Sequence, residues 1–292
     1  MSKILVTGAR GMLGTDLCAV LRARGAGIVP ADVAEFDLTD PAATRAFVRE
    51  CSPTAIINCA AYTAVDQAET DSETAFRVNR DGVRNLAQAA AEVGAALLHL
   101  STDYVFDGMK AGPYLEDDPP NPRSAYGASK FAGEIAVREA LAAHWIVRSA
   151  WLYGIHGKSF PRTILELARR GGPLRVVNDQ CGCPTYAMHL AQVLATMVKQ
   201  PHYGTYHAVN SGSCTWYDLA RAVLSEAGVR VEVQPVSTSE FPRPAPRPAN
   251  SVLDTTKLAT VYGITLPAWE EGVRGFVEAW RQEGKSCRTG LA

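Results

Sequence analysis

Three glycines in seven residues, Gly8-Ala9-Arg10-Gly11-Met12-Leu13-Gly14, leave this chain few ways to begin a fold. The string follows a β-branched run at 4–6 directly and opens a helical pattern over 12–24. A strand that turns on glycines into a helix aims backbone N–H groups and the helix N-terminus at one point, an arrangement that suits a pyrophosphate. A second strand-like run at 28–29 leads to Asp32, an acid 18 residues beyond Gly14. At the end of a second strand, a carboxylate can accept from the hydroxyls of an adenosine ribose. It would repel a 2′-phosphate, whereas Arg10, inside the turn, could pair with one. The residues therefore leave NADH and NADPH both open.

The pattern that follows repeats the first unit. Helical stretches at 41–50, 75–93 and 124–142 alternate with apolar runs at 55–58, 96–101 and 145–148. Strands interleaved with helices of this length make βαβ units, so the expected fold is α/β, a Rossmann-type doubly wound parallel sheet with helices on both faces. Beyond Trp151 the pattern loosens: helices are expected at 160–170, 186–198 and 216–227, and short strands at 174–177 and 207–209. Four prolines within 241–249 exclude a helix or central strand there. The expected division is a dinucleotide-binding domain of residues 1–154 plus about 203–222. Residues 155–202 and 223–292 would then form a smaller C-terminal α/β substrate lobe.

Composition narrows the class. With 47% of 292 residues hydrophobic, a core forms without disulfides or metals. Twenty-nine basic residues against 30 acidic ones leave a net charge of -1, which argues against a nucleic-acid partner. No apolar run is long enough for a membrane span, and the opening residues lack a signal-peptide profile. Seven scattered cysteines in a chain this large read as reduced thiols, hence a cytoplasmic protein. Cys181 and Cys183 have no second pair at metal spacing, so no metal site is expected.

Tyr126 and Lys130 stand four apart, on one helical face. They lie about one βα unit after Ser101-Thr102-Asp103-Tyr104, at the carboxyl end of a strand, where ligands bind in open α/β sheets. A nearby ammonium would stabilise phenolate and bring the phenol toward the working range of an acid–base group. Thr102 can offer a hydroxyl to a carbonyl beside it. Asp37-Leu38 falls where an adenine would be capped, and Asn58-Cys59-Ala60-Ala61 ends the third strand beside the same ligand. Cys59 reads mainly as a packing residue, and His99, between two leucines, as core. His156 and Lys158, after Trp151, could face the cleft, with solvent exposure the favoured reading, and the segment 65–69 reads as a capped helix start or plain structure.

Longer strings carry a narrower likeness. They are Asn58-Cys-Ala-Ala-Tyr-Thr-Ala-Val-Asp-Gln-Ala-Glu69, Ser101-Thr-Asp-Tyr-Val-Phe-Asp-Gly108, Arg148-Ser-Ala-Trp-Leu-Tyr-Gly154, Asn178-Asp-Gln-Cys-Gly-Cys-Pro-Thr185 and Arg247-Pro-Ala-Asn-Ser-Val-Leu253. With the glycine turn, Thr102, Tyr126 and Lys130, they resemble the extended short-chain dehydrogenases/reductases and, within them, the dTDP-4-dehydrorhamnose reductases, almost end to end. The resemblance implies NADPH- or NADH-dependent reduction of the C4 ketone of a dTDP-4-dehydro-6-deoxy sugar to dTDP-L-rhamnose. It implies that Tyr126 protonates the nascent alkoxide, Lys130 holds the nicotinamide ribose and lowers the phenol's pKa, and Thr102 orients the carbonyl. Met12-Leu13, Asp37-Leu38 and Ala61-Tyr62-Thr63 would contact the coenzyme. Thr102-Asp103 and Trp151 would contact the substrate, with the tryptophan face against the C6 methyl; its plain alternative is a core aromatic at the domain junction. Arg247 is expected at the sugar nucleotide's diphosphate.

The resemblance has one departure. Some of these reductases bridge two subunits through magnesium held partly by a glutamate shortly after the Pro-Thr of the Asp-Gln motif. Here Tyr186-Ala187-Met188-His189-Leu190 follows, with no carboxylate. A metal-bridged dimer is not expected, and monomer and homodimer stay open. Related dehydratases place Asp-Glu after the threonine, where this chain has Asp103-Tyr104. A reductase of another dTDP-4-keto-deoxysugar and a non-catalytic subunit resembling the methionine adenosyltransferase beta subunit are the alternatives. Retention of Thr102, Tyr126 and Lys130 favours catalysis over the latter.

Overall fold

The computed structural model describes residues 3–289, with side chains described through residue 283. Six strands form its main sheet: β1 (Lys3–Thr7), β2 (Gly27–Ala31), β3 (Ala55–Asn58), β4 (Ala96–Thr102), β5 (His144–Ser149) and β6 (Gly204–His207). Their order is β6-β5-β4-β3-β1-β2, and every neighbouring pair is parallel. From β1 the chain steps to β2 on one side and then returns to β3 on the other. That reversal opens a crevice at the carboxyl ends of β1 and β3. Register places the crevice walls: Thr7 pairs with both Ala31 and Asn58, so Gly8, Asp32 and Cys59 leave the sheet side by side. β4 runs three residues past the level of Asn58, and Thr102 ends it opposite Ser149 of β5.

Both faces of the sheet are covered, as the near-continuous apolar strands require. On one face, helices Met12–Ala23 and Ala187–Met197 bury Leu13, Leu17, Leu190 and Leu194 against Val6 and Val147. On the other, Val48, Leu86 and Val137 pack on Leu5, Ile56 and Leu97. A separate cluster, centred on Tyr153, Leu219, Val273 and Phe276, holds the smaller lobe. There Leu174–Val177 pairs in parallel with Val233–Val236.

The packing draws its line between lobes elsewhere than the expected one. Helix Ala187–Met197 and residues Leu258, Tyr262 and Leu266 join the sheet's cluster, while helix Trp216–Ala227 joins the smaller one. The strand expected at 207–209 lies at Gly204–His207, where Tyr206 and His207 pair with Val147 and Arg148. Strand Val233–Val236 and helices Thr256–Tyr262 and Trp269–Thr289 had no counterpart in the sequence reading. The last buries Val273, Phe276 and Val277, a spacing that marks one helical face.

One ionic cluster ties the sheet to helix Ala125–Ala140. The buried Glu134 carboxylate accepts from Arg148 Nε at 2.9 Å, Arg148 Nη2 at 2.8 Å and Ser101 Oγ at 2.7 Å. Arg138 adds a bond of 2.9 Å, and Arg148 Nη1 donates to the Glu116 carbonyl at 3.1 Å. Paired in this way, Glu134 keeps its carboxyl below the usual range despite burial.

Candidate active site

A cavity of about 660 Å³ runs along the carboxyl ends of the sheet strands. Of the site residues expected from sequence, all but Arg10, Tyr62 and Arg247 line it. An open hollow of about 800 Å³ between Arg221 and Val233, on the smaller lobe, lies away from all of them.

At one end the glycine turn is tightly packed. Gly8 has φ +65°, and a Cβ there would stand 2.7 Å from Ala60 N; at Gly14 it would meet Gly8 O at 2.1 Å. Both residues therefore allow approaches closed to any other side chain. Gly11 caps helix Met12–Ala23 without a side-chain acceptor, so the helix's first N–H groups are left for a ligand. Asp32 accepts from Arg10 N at 3.0 Å and Val33 N at 2.9 Å. Asp37 lines the same cavity, its carboxyl held low by bonds from the Thr39 N–H and hydroxyl. Arg10 does not line the cavity; its guanidinium bonds Glu35 at 2.8 and 2.5 Å. An acid three residues past Asp32 was the one available signal for this.

At the other end, Ser124 caps helix Ala125–Ala140 by accepting from Gly127 N at 3.1 Å, and Glu69 accepts from Ala125 N at 2.8 Å. Tyr126 and Lys130 thus enter the cavity from the helix's first turns. Asn79 clamps this helix to the loop after β3. Its side chain accepts from Tyr62 N at 2.9 Å and donates to Tyr62 O at 3.0 Å and Ser129 Oγ at 2.9 Å. Asn79 sits in the π-helical segment Arg77–Gly82, a local widening that nothing in a single sequence announces. Tyr62 therefore meets the site through its backbone clamp.

The electrostatics correct one expectation. The phenol is not brought below its ordinary value: the Lys130 ammonium donates to Leu100 O at 2.6 Å, and burial pushes that ammonium to about 8. Burial pushes the Tyr126 phenol up to about 12, against an opposing hydrogen bond with Thr102 and with a further rise from Asp103. Desolvation outweighs the Thr102 hydrogen bond at Tyr126 and the neighbouring charges of Glu134 and Cys59 at Lys130. At neutral pH Tyr126 is therefore protonated. Thr102 Oγ1 donates to Asp103 at 3.0 Å and accepts from Tyr104 N at 3.2 Å. Asp103, buried, rises to about 6.

Trp151 forms the wall toward the smaller lobe. It has φ 44°, a strained backbone for a bulky residue, of the kind that clusters at functional sites. Its ring stacks on Trp216 at 3.6 Å and 5°, and a Cβ at Gly182 would lie 2.4 Å from it. Trp216 and the exposed Lys158 line the cavity too; Trp216 was not assigned there from sequence, and Lys158 takes the cleft alternative. Arg247 is held outside, bonded to Asp66 at 2.8 Å and to the Ala245 carbonyl at 2.9 Å. Cys59 lines the cavity, but burial pushes its thiol to about 12, which leaves it unreactive. His99 is core, bonded to Asn58 at 3.0 Å.

The family model described as RmlD substrate binding domain matches residues 2–282. A dTDP-4-dehydrorhamnose reductase of Sinorhizobium fredii is 41% identical, covering 98% of this chain and 100% of that one. The chain belongs to the dTDP-4-dehydrorhamnose reductase family. Within it, the crystal structure of a Bacillus anthracis dTDP-4-dehydrorhamnose reductase in complex with NADP superposes with a TM-score of 0.92 at 41% identity. It covers 94% of this chain and 99% of its own. A probable dTDP-4,6-dihydroxy-2-methyloxan-3-one 4-ketoreductase of Streptomyces antibioticus is 42% identical over 99% of both chains. Among the described residues no helix is long and apolar enough to cross a membrane.

Proposed function

We propose that this chain reduces the C4 ketone of dTDP-4-dehydro-6-deoxy-L-mannose to dTDP-L-rhamnose. The observation that carries the reading is one cavity that joins the glycine turn and Asp32 to Thr102, Tyr126, Lys130 and Trp151. The turn's free N–H groups and close-packed glycines fit a dinucleotide's pyrophosphate, and Asp32 fits its adenosine ribose. NADPH or NADH, when bound, supplies the hydride.

The chain's own part is to hold the ketone and give the proton. Tyr126, kept protonated by burial, donates its phenolic proton to the oxygen at C4 as the ketone becomes an alcohol. The phenolate left behind needs a countercharge. Lys130, one turn along the helix and mostly protonated at neutral pH, provides it and holds the nicotinamide ribose. Thr102, by exchanging its bond to Asp103, lends its hydroxyl to the same carbonyl oxygen. Trp151, backed by Trp216, offers a rigid apolar face to the C6 methyl. Arg247, bonded to Asp66, is the cation expected at the diphosphate.

The Streptomyces antibioticus relative supports a second reading, a 4-ketoreductase of another dTDP-deoxysugar. Product analysis separates the two. Incubation with dTDP-4-dehydro-6-deoxy-L-mannose and coenzyme should give dTDP-L-rhamnose by NMR. Coenzyme oxidation with another dTDP-4-keto-deoxysugar but not with this one would transfer the chain to the second reading, and absence of oxidation with either would refute both.

A further inference from the structure

We propose that Lys158 binds a ligand's diphosphate in the cavity. The assignment rests on the reductase reading given above and deepens it, by naming the cation that a charged ligand finds free.

A dinucleotide and a nucleotide sugar each bring a diphosphate, yet acids outnumber cations on the cavity wall. Asp32, Asp37 and Asp103 line it, opposed by Lys130 and Lys158. Lys130 is buried and gives its ammonium to Leu100 O. Outside the wall, Arg10 is bound to Glu35 and Arg247 to Asp66. Lys158 differs from these three. It is exposed, and among the described residues its ammonium has no hydrogen-bond or salt-bridge partner.

The loop that carries Lys158 is itself held fast. At its start, a Cβ on Gly154 would lie 3.0 Å from both Met12 Cγ and Ala187 Cβ, so the chain packs directly on the first residue of helix Met12–Ala23. One turn along that helix, the buried Asp16 holds Oδ1 3.4 Å from His156 Nε2. Arg162 Nη2 donates to Ile155 O at 2.6 Å, and Ser159 Oγ donates to Gly154 O at 3.4 Å. Lys158 is thus an untied side chain on a fixed loop, and it lines the same cavity as Met12, Trp151 and Trp216. An ammonium on a flexible stem meets phosphate oxygens as a point charge, which asks for reach rather than a forked geometry.

The test uses the intact protein and calorimetry with two probes, dTDP and NADPH, because the diphosphate can come from either ligand. Lys158→Met should weaken at least one of them about tenfold. Loss at dTDP assigns Lys158 to the sugar nucleotide, and loss at NADPH assigns it to the coenzyme; each bears the proposal out. Lys158→Arg keeps the charge and should hold both affinities within about threefold. Melting temperature should match wild type in both variants, since the exposed side chain ties nothing down. Unchanged affinity for both probes in Lys158→Met would overturn the proposal and leave the reductase reading intact, as would equal losses in the two variants. Failure of the wild-type protein to bind either probe would refute the reductase reading, and the proposal with it.

Discussion

Two buried charges on one helix face, a single turn apart, do different work. Glu134 is fully buried and Lys130 is 3% exposed, so both have left water. Glu134 receives three charge-assisted bonds from Arg148 and Arg138 and one from Ser101, and its carboxyl stays ionised. Lys130 meets one carbonyl, Leu100 O, and its ammonium is pushed to about 8. Burial with partners therefore makes scaffold, and burial without them makes a group whose proton is easily exchanged. The two regions are joined through β4, which gives Ser101 to the first and Thr102 to the second.

The comparison breaks most visibly at Glu134. Glu134→Ala leaves Arg148 buried and unpaired, and should cost about 3–5 kcal/mol in urea unfolding. A loss below about 1 kcal/mol would show that the cluster is not scaffold. The pH dependences sharpen the contrast, because both stabilities rise with pH but in different windows. A lysine whose folded pKa is lowered is a cost while charged; that cost is relieved between about 8 and its ordinary 10.5, so stability relative to Lys130→Met should rise with pH there. Glu134, held low, contributes stability above the ordinary carboxylate range and loses it as pH falls through its folded value. Turnover should fall about tenfold per unit above pH 8 as the Lys130 ammonium is lost. A flat rate from pH 7 to 10 would remove Lys130's charge from the mechanism. The smallest effect is expected at Trp216. Trp216→Ala takes the backing from Trp151 and should raise KM about fivefold, near 1 kcal/mol, with kcat within about twofold. An unchanged KM would separate the tryptophan stack from the substrate.

The parts of this site legible in the sequence are those written locally. The glycine turn, Asp32 and the Tyr126/Lys130 spacing each sit within one βα unit, so their geometry follows from the element that carries them. Pairings between distant segments were not legible. Arg247 looked like a free cation because nothing local shows Asp66, 181 positions earlier, folding against it. Trp216 joined the cavity only through its stack on Trp151, and Asn79 only through the backbone of Tyr62. The expected lowering of the phenol differs for another reason. Spacing gives proximity, but the balance between desolvation and charge depends on how deeply the packed helix buries both groups.

The central claim is that the buried phenol of Tyr126 gives the proton. It is tested most directly by single-turnover reduction of dTDP-4-dehydro-6-deoxy-L-mannose in wild-type protein and Tyr126→Phe, both saturated with coenzyme. The account predicts a rate lower by about 10²–10⁴ in the variant, with coenzyme affinity and melting temperature unchanged. Reduction at the wild-type rate would contradict it.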